Sequence, residues 1–500
     1  MEYFSFIWST ATYIETRMKE EIEYPQLEKA VGFSYRHIRE TFKDVTGVTL
    51  SRYILSRRVA NSAFDIMHTN KSLTQIAMDY MFDSYDTFTR AFKRCTSHLP
   101  SDFRGQPCEL KVGRRRILTG VFGPMILDLS QISEVDSMMN NTVKTKDSCI
   151  LYGVPKVAYS FEGCTPFCVS MTACLNYMGQ QVDYAYIMAI TGAAFRLRWN
   201  LYGWDGGNVD IMNIYEDKFE AFRRAFAAAG RRYQLLQREK SSKEDFIMFI
   251  KAEIDEGRPV IAFGIIGPPE ACLVTGYREN GRILLGWNCF QENQEFAKGV
   301  TIEENGYYAT DSWWENECTI ALISVGEKQE ALASHKEILE NAIDILTKEQ
   351  VTYYEEEGKP RAAYAGGQRA YDLWAGSIGD DKEFPEGAII PLLYERIVCQ
   401  NDAAMMLGEG RYYGAAYLEQ VGREIEDVSK ECSLAAQYFR RAAELGPRMS
   451  EIIGGFMQSE ENIRNFANPA IRKQLVTLIQ QAKEFEAEAG KVLRDIVEKL

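Results

Sequence analysis

Two cysteines stand where a helix is expected to begin in "GCTPFCVSMTACLNYMG", residues 163–179. A thiol at a helix N-terminus gains from the helix dipole, which favours the nucleophilic thiolate. Cys164 and Cys168 are therefore the candidate nucleophiles, and their spacing to Gly179 does not choose between them. A cysteine nucleophile also needs an imidazole, which takes the thiol proton and returns it to the leaving group. The chain has four histidines, His37, His68, His98 and His335, and none lies between residues 149 and 325. The base is absent from the segment that would need it. Packing is the other reading, because Cys168 and Cys174 sit in an apolar helix.

A second constellation suits binding. "RWNLYGWDGGNVD" (198–210) sets Trp199, Tyr202 and Trp204 beside Asp205, with Gly206 and Gly207 relaxing the backbone before Asn208. Aromatics around one carboxylate fit an apolar or cationic organic molecule through stacking and cation–π contact. Alternatively the tryptophans are core and the turn is a helix cap. No GK[ST] or G-x-G-x-x-G context makes this a phosphate loop. Neither a cofactor nor a metal site is expected.

The elements that must position these residues follow from periodicity. Helices are predicted at Phe167–Tyr177, Tyr184–Ile190, Lys218–Ala229 and Lys243–Glu256, and strands at 258–266, 271–280, 281–290 and 317–325. A helix followed by an antiparallel sheet makes residues 149–326 an α+β domain. The stretch "RPVIAFGIIGPPEACLVTGYRENGRILLGW" resembles the papain-like bacteriocin-processing peptidases and butirosin-biosynthesis acyltransferases. That resemblance implies a catalytic histidine at or near Glu270 and its orienting partner at Asn288. A carboxylate at Glu270 would raise a neighbouring thiol's pKa and cannot relay a proton as imidazole does. The expectation is a papain-like scaffold without catalysis, with Glu270, Trp287, Asn288 and Phe290 facing the same cleft as the aromatic stretch 198–210, and Cys164 and Cys168 among its ligand-contacting residues. An active cysteine peptidase or acyltransferase is the rival. A buried Glu270 needs a partner: Arg198, Arg258 or a bound effector.

The total charge is −14, but residues 1–104 hold 14 Lys and Arg against 13 Asp and Glu, which leaves −15 on the rest. Only that first segment, with "KVGRRR" (111–116) just after it, could approach a phosphate backbone without strong repulsion. In "YPQLEKAVGFSYRHIRETFKDVTG" (24–47), Leu27, Ala30, Val31, Phe33, Ile38 and Phe42 form two short amphipathic helices broken at Gly32, with Ser34 as N-cap. A second copy, "SLTQIAMDYMFDSYDTFTRAFKRC" (72–95), places Ile76, Ala77, Phe82, Phe88 and Phe92 in the same phase. One connecting helix lies between them, over residues 49–69. The ordered motifs "SYRHIRETFK", "LSRR", "IAMDYMFDS" and "FTRAFK" resemble the AraC/XylS family of transcription regulators, from Tyr24 to Arg104. Met81 stands where that family has its turn glycine.

The resemblance implies DNA reading from two recognition helices. Their outward residues are Tyr35, Arg36 and Arg39 in the first and Tyr85, Asp86 and Arg90 in the second, with His37 and Lys43 at phosphate or supporting the helix.

Residues 109–148 are expected to be a connector with a short strand, "RRILTGVF", and residues 327–500 an all-α region. There "AYDLWA" (370–375) and "GEGRYYGAAYL" (408–418) either wall the cleft or pack helix on helix. The whole reads as a multidomain chain: residues 1–108 a double helix-turn-helix, 149–326 papain-like, 327–500 helical. The expected function is a one-component transcription regulator, more an activator than a repressor. It would bind double-stranded DNA and sense a small organic effector, cationic or aromatic and antibiotic-like. A protein-recruiting regulator without such a ligand is a further alternative, and RNA polymerase contact and a homodimer are left open. No run approaches the roughly 18 apolar residues of a membrane span, and "MEYFSFIWST" lacks the basic flank of a signal peptide. Eleven cysteines without a CxxC pair suit reduced thiols in a cytoplasm.

Overall fold

Left-handed turns and capping serines set the first elements of the chain, seen in a computed structural model. The structure describes residues 10, 13–14, 17–46, 49–68, 71–96, 99–101, 141–159, 163–293, 295–330, 333–354, 362–456 and 458–500. The expected strand "RRILTGVF", the basic run at 111–116 and His98 lie outside them, as does the connector up to residue 140. The chain divides into two compact units, residues 1–137 and residues 138–454 with 458–500.

In the first unit α1 (Tyr24–Val31) ends at Gly32, whose φ of 79° is the left-handed cap a glycine adopts without strain. Helix α2 (Tyr35–Thr46) follows, then the single connecting helix α3 (Leu50–His68), α4 (Leu73–Asp79) and α5 (Tyr85–Thr96). Leu27, Ile38, Phe42, Ile76, Phe88 and Phe92 are fully buried, so the duplicated pattern forms a duplicated core. Two residues depart from expectation: Ala30 is exposed on the last turn of α1, and Phe33 lies in the turn, 49% exposed, because the chain leaves the helix face at Gly32. Met81 occupies the equivalent turn of the second copy with φ 61°. A methionine there adopts the conformation that ordinarily selects glycine.

The second unit is built on an antiparallel sheet. Its strands are β1 (Asn141–Lys144), β2 (Cys149–Tyr152), β4 (Leu235–Gln237), β5 (Val260–Phe263), β6 (Ala271–Arg278), β7 (Ile283–Trp287), β8 (Thr301–Ile302), β9 (Tyr308–Thr310) and β10 (Ala321–Ser324). They run in the order β4-β10-β5-β6-β7-β9-β8, with β2 joining β1 to β6. Strands β5 and β6 are buried along almost their whole length and read as continuous apolar runs, as strands covered on both faces do. Helices α6 (Pro166–Tyr177), α7 (Tyr184–Ile190), α8 (Glu220–Ala228) and α9 (Lys243–Asp255) accompany them. Helix α6 packs on β5 and β6. Gly264, at φ 85°, lies so close to the Cys318 carbonyl that a Cβ would overlap it.

The region after residue 326 is helical but not all-α. Helices α10 (His335–Thr347), α11 (Gly367–Gly379), α12 (Ile390–Glu424), α13 (Ser429–Ile453), α14 (Glu460–Ala467) and α15 (Pro469–Lys499) carry it. Between α10 and α11 lie β11 (Val351–Tyr354) and β12 (Ala362–Ala365). Strand β12 pairs with β3 (Trp199–Asn200), far earlier in the chain. The expected boundary at 326 crosses one continuous core, since Leu339, Tyr413 and Leu493 share a hydrophobic cluster with the sheet residues Ile261 and Leu273. A second cluster joins Leu197 and Trp199 to Trp374, Ile397 and Leu475. Arg411 and Glu486, 0% and 1% exposed, form a 2.6 Å ion pair from α12 to α15. Tyr371 donates to the same carboxylate at 2.5 Å.

Candidate functional site

Helix α2 begins where Ser34 Oγ accepts the His37 N–H at 3.4 Å and Glu28 accepts that of Tyr35 at 2.6 Å. Helix α5 repeats the device, with Ser84 Oγ accepting the Thr87 N–H at 3.2 Å. Ile38 and Phe42 point inward, which leaves Arg36, His37, Arg39 and Lys43 exposed on the other side. Tyr35 is half-buried, stacked on Tyr24 at 4.0 Å, and Arg39 lies over its ring at 5.9 Å. Burial and Tyr24 hold the Tyr35 phenol up at about 12. Arg36 bonds Glu40 at 3.0 Å, but both are exposed, so the pair is worth little. His37 reaches Thr41 at 3.4 Å and so braces its own helix. On α5, Asp86 and Arg90 are exposed and Tyr85 is half-buried. Lys93 and Arg94 extend that exposed face and were missed from sequence.

The cysteine segment of the second unit has a different electrostatic character. Cys164 stands two residues before α6, and its backbone N–H donates to Glu409 at 2.6 Å. Thr165 and Tyr184 donate to the same carboxylate, each at 2.7 Å. Burial, then the Glu409 charge, push the Cys164 thiol well above its ordinary value. Burial pushes Cys168 up to about 12, and its sulfur meets Thr191 at 3.5 Å. Both environments disfavour thiolate. Arg196, whose Nη2 donates to Thr165 at 3.1 Å, carries a positive charge that opposes the acids at Cys164 and Glu270.

Around this point four carboxylates gather, Asp402 and Glu409 from α12 and Asp210 and Glu270 from earlier in the chain: Asp210 acts on Glu270, Glu270 on Asp402, and Asp402 and Glu409 both act on Cys164. Burial raises the Glu270 carboxyl; a bond from Tyr159 and the charge of Arg196 work against that, and Asp210 adds to it. Asp402 is pushed up to about 7, by burial first and by Glu270 second. Asp210 is raised by burial while accepting the Met212 N–H at 2.8 Å. Neither expected arginine reaches Glu270. Arg258 pairs with Glu253 at 2.7 Å, and Arg198 bonds the Asn213 carbonyl at 2.7 Å. Buried Asn208 donates to the Cys399 carbonyl at 3.0 Å, and its Oδ1 has no partner among the described residues. Among those residues, no three His, Cys, Asp or Glu are grouped to hold a metal ion.

The helix-turn-helix domain family matches residues 27–106. The right origin-binding protein of Escherichia coli K12 is 33% identical over 107 residues, which is 21% of this chain and 37% of that protein. The transcriptional regulator Rob of Salmonella typhimurium is 34% identical over 104 residues, 21% of this chain and 36% of its own length. The TetD protein of transposon Tn10 from Escherichia coli is 35% identical over 92 residues, 18% of this chain and 67% of TetD. The chain belongs to the AraC-type helix-turn-helix family. The chain spans little more than a third of the length of the first two relatives.

Beyond the AraC-type unit, the structure sorts the expected cleft residues into two groups. It brings Cys164 and Glu270 together, and Phe290 borders them through Tyr159 at 5.8 Å. The remaining aromatics turn elsewhere. Trp199, 2% exposed, stacks on Trp374 at 5.9 Å and donates to Ser377 at 3.0 Å. Trp204 donates to Glu383 at 2.9 Å and lies edge-on to Phe384. Asp205 caps the turn, accepting from Gly207 at 3.0 Å and Tyr364 at 2.8 Å. Tyr202 is 72% exposed. Trp287 donates to the Val154 carbonyl at 2.9 Å, and Asn288 accepts the Phe290 N–H at 2.8 Å. These side chains serve core and turns. Sequence reasoning missed Asp210, Asp402 and Arg196. Glu409 lies in "GEGRYYGAAYL", and the glycines there were its signal: a Cβ on Gly410 would press to 2.9 Å of the Ala194 carbonyl, so α12 lies directly on the 193–196 stretch.

No described helix is long and apolar enough to cross a membrane.

Proposed function

We propose that the chain is a one-component transcription regulator. The AraC-type unit binds double-stranded DNA through α2 and α5, and the second unit senses a cationic organic effector in the acidic cleft around Glu270. The observation that carries the DNA reading is the exposed face of capped helices bearing Arg36, Arg39 and Arg90, in a segment that matches DNA-binding relatives. Arginine on such a helix reads guanine with ~1–3 kcal/mol of discrimination. Effector sensing is supported by carboxylates crowded without an internal cation in contact: the Asp402 side chain has no hydrogen bond or ion pair among the described residues, and Asn208 offers an unpaired acceptor. A bound ammonium would satisfy both. The thiols beside Glu409 favour a non-catalytic scaffold over a peptidase or acyltransferase, and activation is the regulatory sign proposed.

Site selection from a random DNA pool with the full chain tests the first half. Arg36→Ala and Arg39→Ala should each weaken the selected site by ~1–3 kcal/mol and random DNA far less; equal losses on both DNAs would reduce them to phosphate contacts. A thermal-shift screen over amines tests the second, since a ligand at ~100 times its Kd adds about 2.7 kcal/mol. A shift that survives unchanged in Glu270→Gln would move the effector out of this cleft.

A further inference from the structure

At the β4–β10 edge of the sheet, α8, the 231–234 stretch and the 324–329 stretch line an open cavity of about 450 Å³ that includes none of Asp210, Glu270, Asp402 and Glu409. Four arginines line it, Arg223, Arg231, Arg232 and Arg258, against two acids, Glu253 and Glu327. Two of the four already have counter-charges. Arg223 bonds Asp217 at 2.6 Å, and Arg258 bonds Glu253 at 2.7 Å.

Arg231 is the exception. It is 7% exposed, yet its hydrogen bonds go to uncharged acceptors, Gln180 at 2.7 Å and the Gly326 carbonyl at 3.2 Å. It forms no ion pair among the described residues, and burial alone acts on it, lowering its pKa. A largely buried guanidinium without a counter-ion is costly, and an anion entering the cavity would supply the missing charge. Arg232 beside it is exposed, and among the described residues its side chain makes no hydrogen bond or ion pair. The third feature is a flat wall: Tyr233 stacks on Phe226 at 4.6 Å, with 13° between the rings.

We propose that this cavity binds a small organic anion, whose carboxylate or phosphate oxygens take the unused guanidinium edges of Arg231 and Arg232 while a planar group lies along Tyr233. Guanidinium forks match either oxyanion in the two-pronged manner that a lysine cannot.

The test uses the full chain at an ionic strength held constant with sodium chloride, titrated calorimetrically with inorganic phosphate, benzoate and adenosine monophosphate. At least one should bind saturably and raise Tm. Phosphate together with the nucleotide would assign a phosphate, and benzoate alone an aromatic carboxylate. Arg232→Ala, an exposed change that the fold tolerates, should weaken binding about tenfold, and Arg231→Met should abolish it without lowering Tm in the absence of anion. Should Arg231→Met not fold, the Arg232→Ala titration and the ³¹P linewidth of phosphate with the parent and Arg232→Ala proteins decide the matter. Absence of saturable binding by all three anions, or binding that both variants leave untouched, overturns the proposal.

Discussion

Helices α2 and α5 of the first unit and the acidic cluster of the second handle charge in opposite ways. Arg36, Arg39 and Arg90 stay in water, and the Arg36 pair with Glu40 is an exposed, weak one. Asp210, Glu270 and Asp402 are crowded by their own fold, and burial raises all three. An exposed face needs only the right residue types at helical spacing. A crowded one needs several chain segments to meet, and it carries free energy that the fold must offset.

That contrast is sharpest in stability. Removing the Glu486 charge with Glu486→Leu strands Arg411, which is wholly buried. The second unit should then lose ~3–5 kcal/mol, whereas Arg36→Ala should leave the first unit within ~0.5 kcal/mol of the parent. Differential scanning calorimetry on the full chain reads both. Comparable losses from the two substitutions would erase the distinction.

A smaller effect comes from pH. The Asp402 carboxyl is raised from 3.8 to about 7, so the folded chain holds a proton that the unfolded chain releases. Its contribution to stability is therefore present below about pH 4 and lost as pH rises towards about pH 7, the reverse of a salt-bridged aspartate. Glu270 and Asp210 are shifted in the same direction. Asp402→Asn should flatten urea-melt stability between pH 4 and 7 and gain ~2 kcal/mol at pH 8, discounted for its partial exposure. If the parent gained stability over that range, the carboxylates would be internally paired and the proposed cationic effector would lose its support.

The least effect tests the turn of the first unit. Met81 holds φ 61°. Met81→Gly should stabilise that unit by ~1 kcal/mol, seen as a rise in its calorimetric midpoint. No gain would mean that the methionine side chain, 42% exposed, compensates through contacts.

The AraC-type unit was largely legible because its information is local. Gly32, Ser34 and Ser84 mark helix ends within a few residues, and Ile38, Phe42, Phe88 and Phe92 fix the buried face by spacing alone. Even the strained turn at Met81 could be placed by comparing the two copies. Ala30 and Phe33 were exceptions, and for Phe33 apolar character does not reveal that the chain has already left the helix. In the second unit the helix-then-sheet order was legible from periodicity, and the want of a histidine near Cys164 was plain from composition. Where the aromatics would go was not. Trp199 joins a core completed by Trp374, and its two-residue strand exists only because β12 arrives to pair with it. Asp402 and Glu409 sit on one face of a 35-residue helix whose sequence carries no mark of a binding wall beyond its glycines. Spacing along the chain fixes which face of an element is buried. Which carboxylates share a low-dielectric space depends on contacts across more than a hundred residues, and only the folded chain decides those.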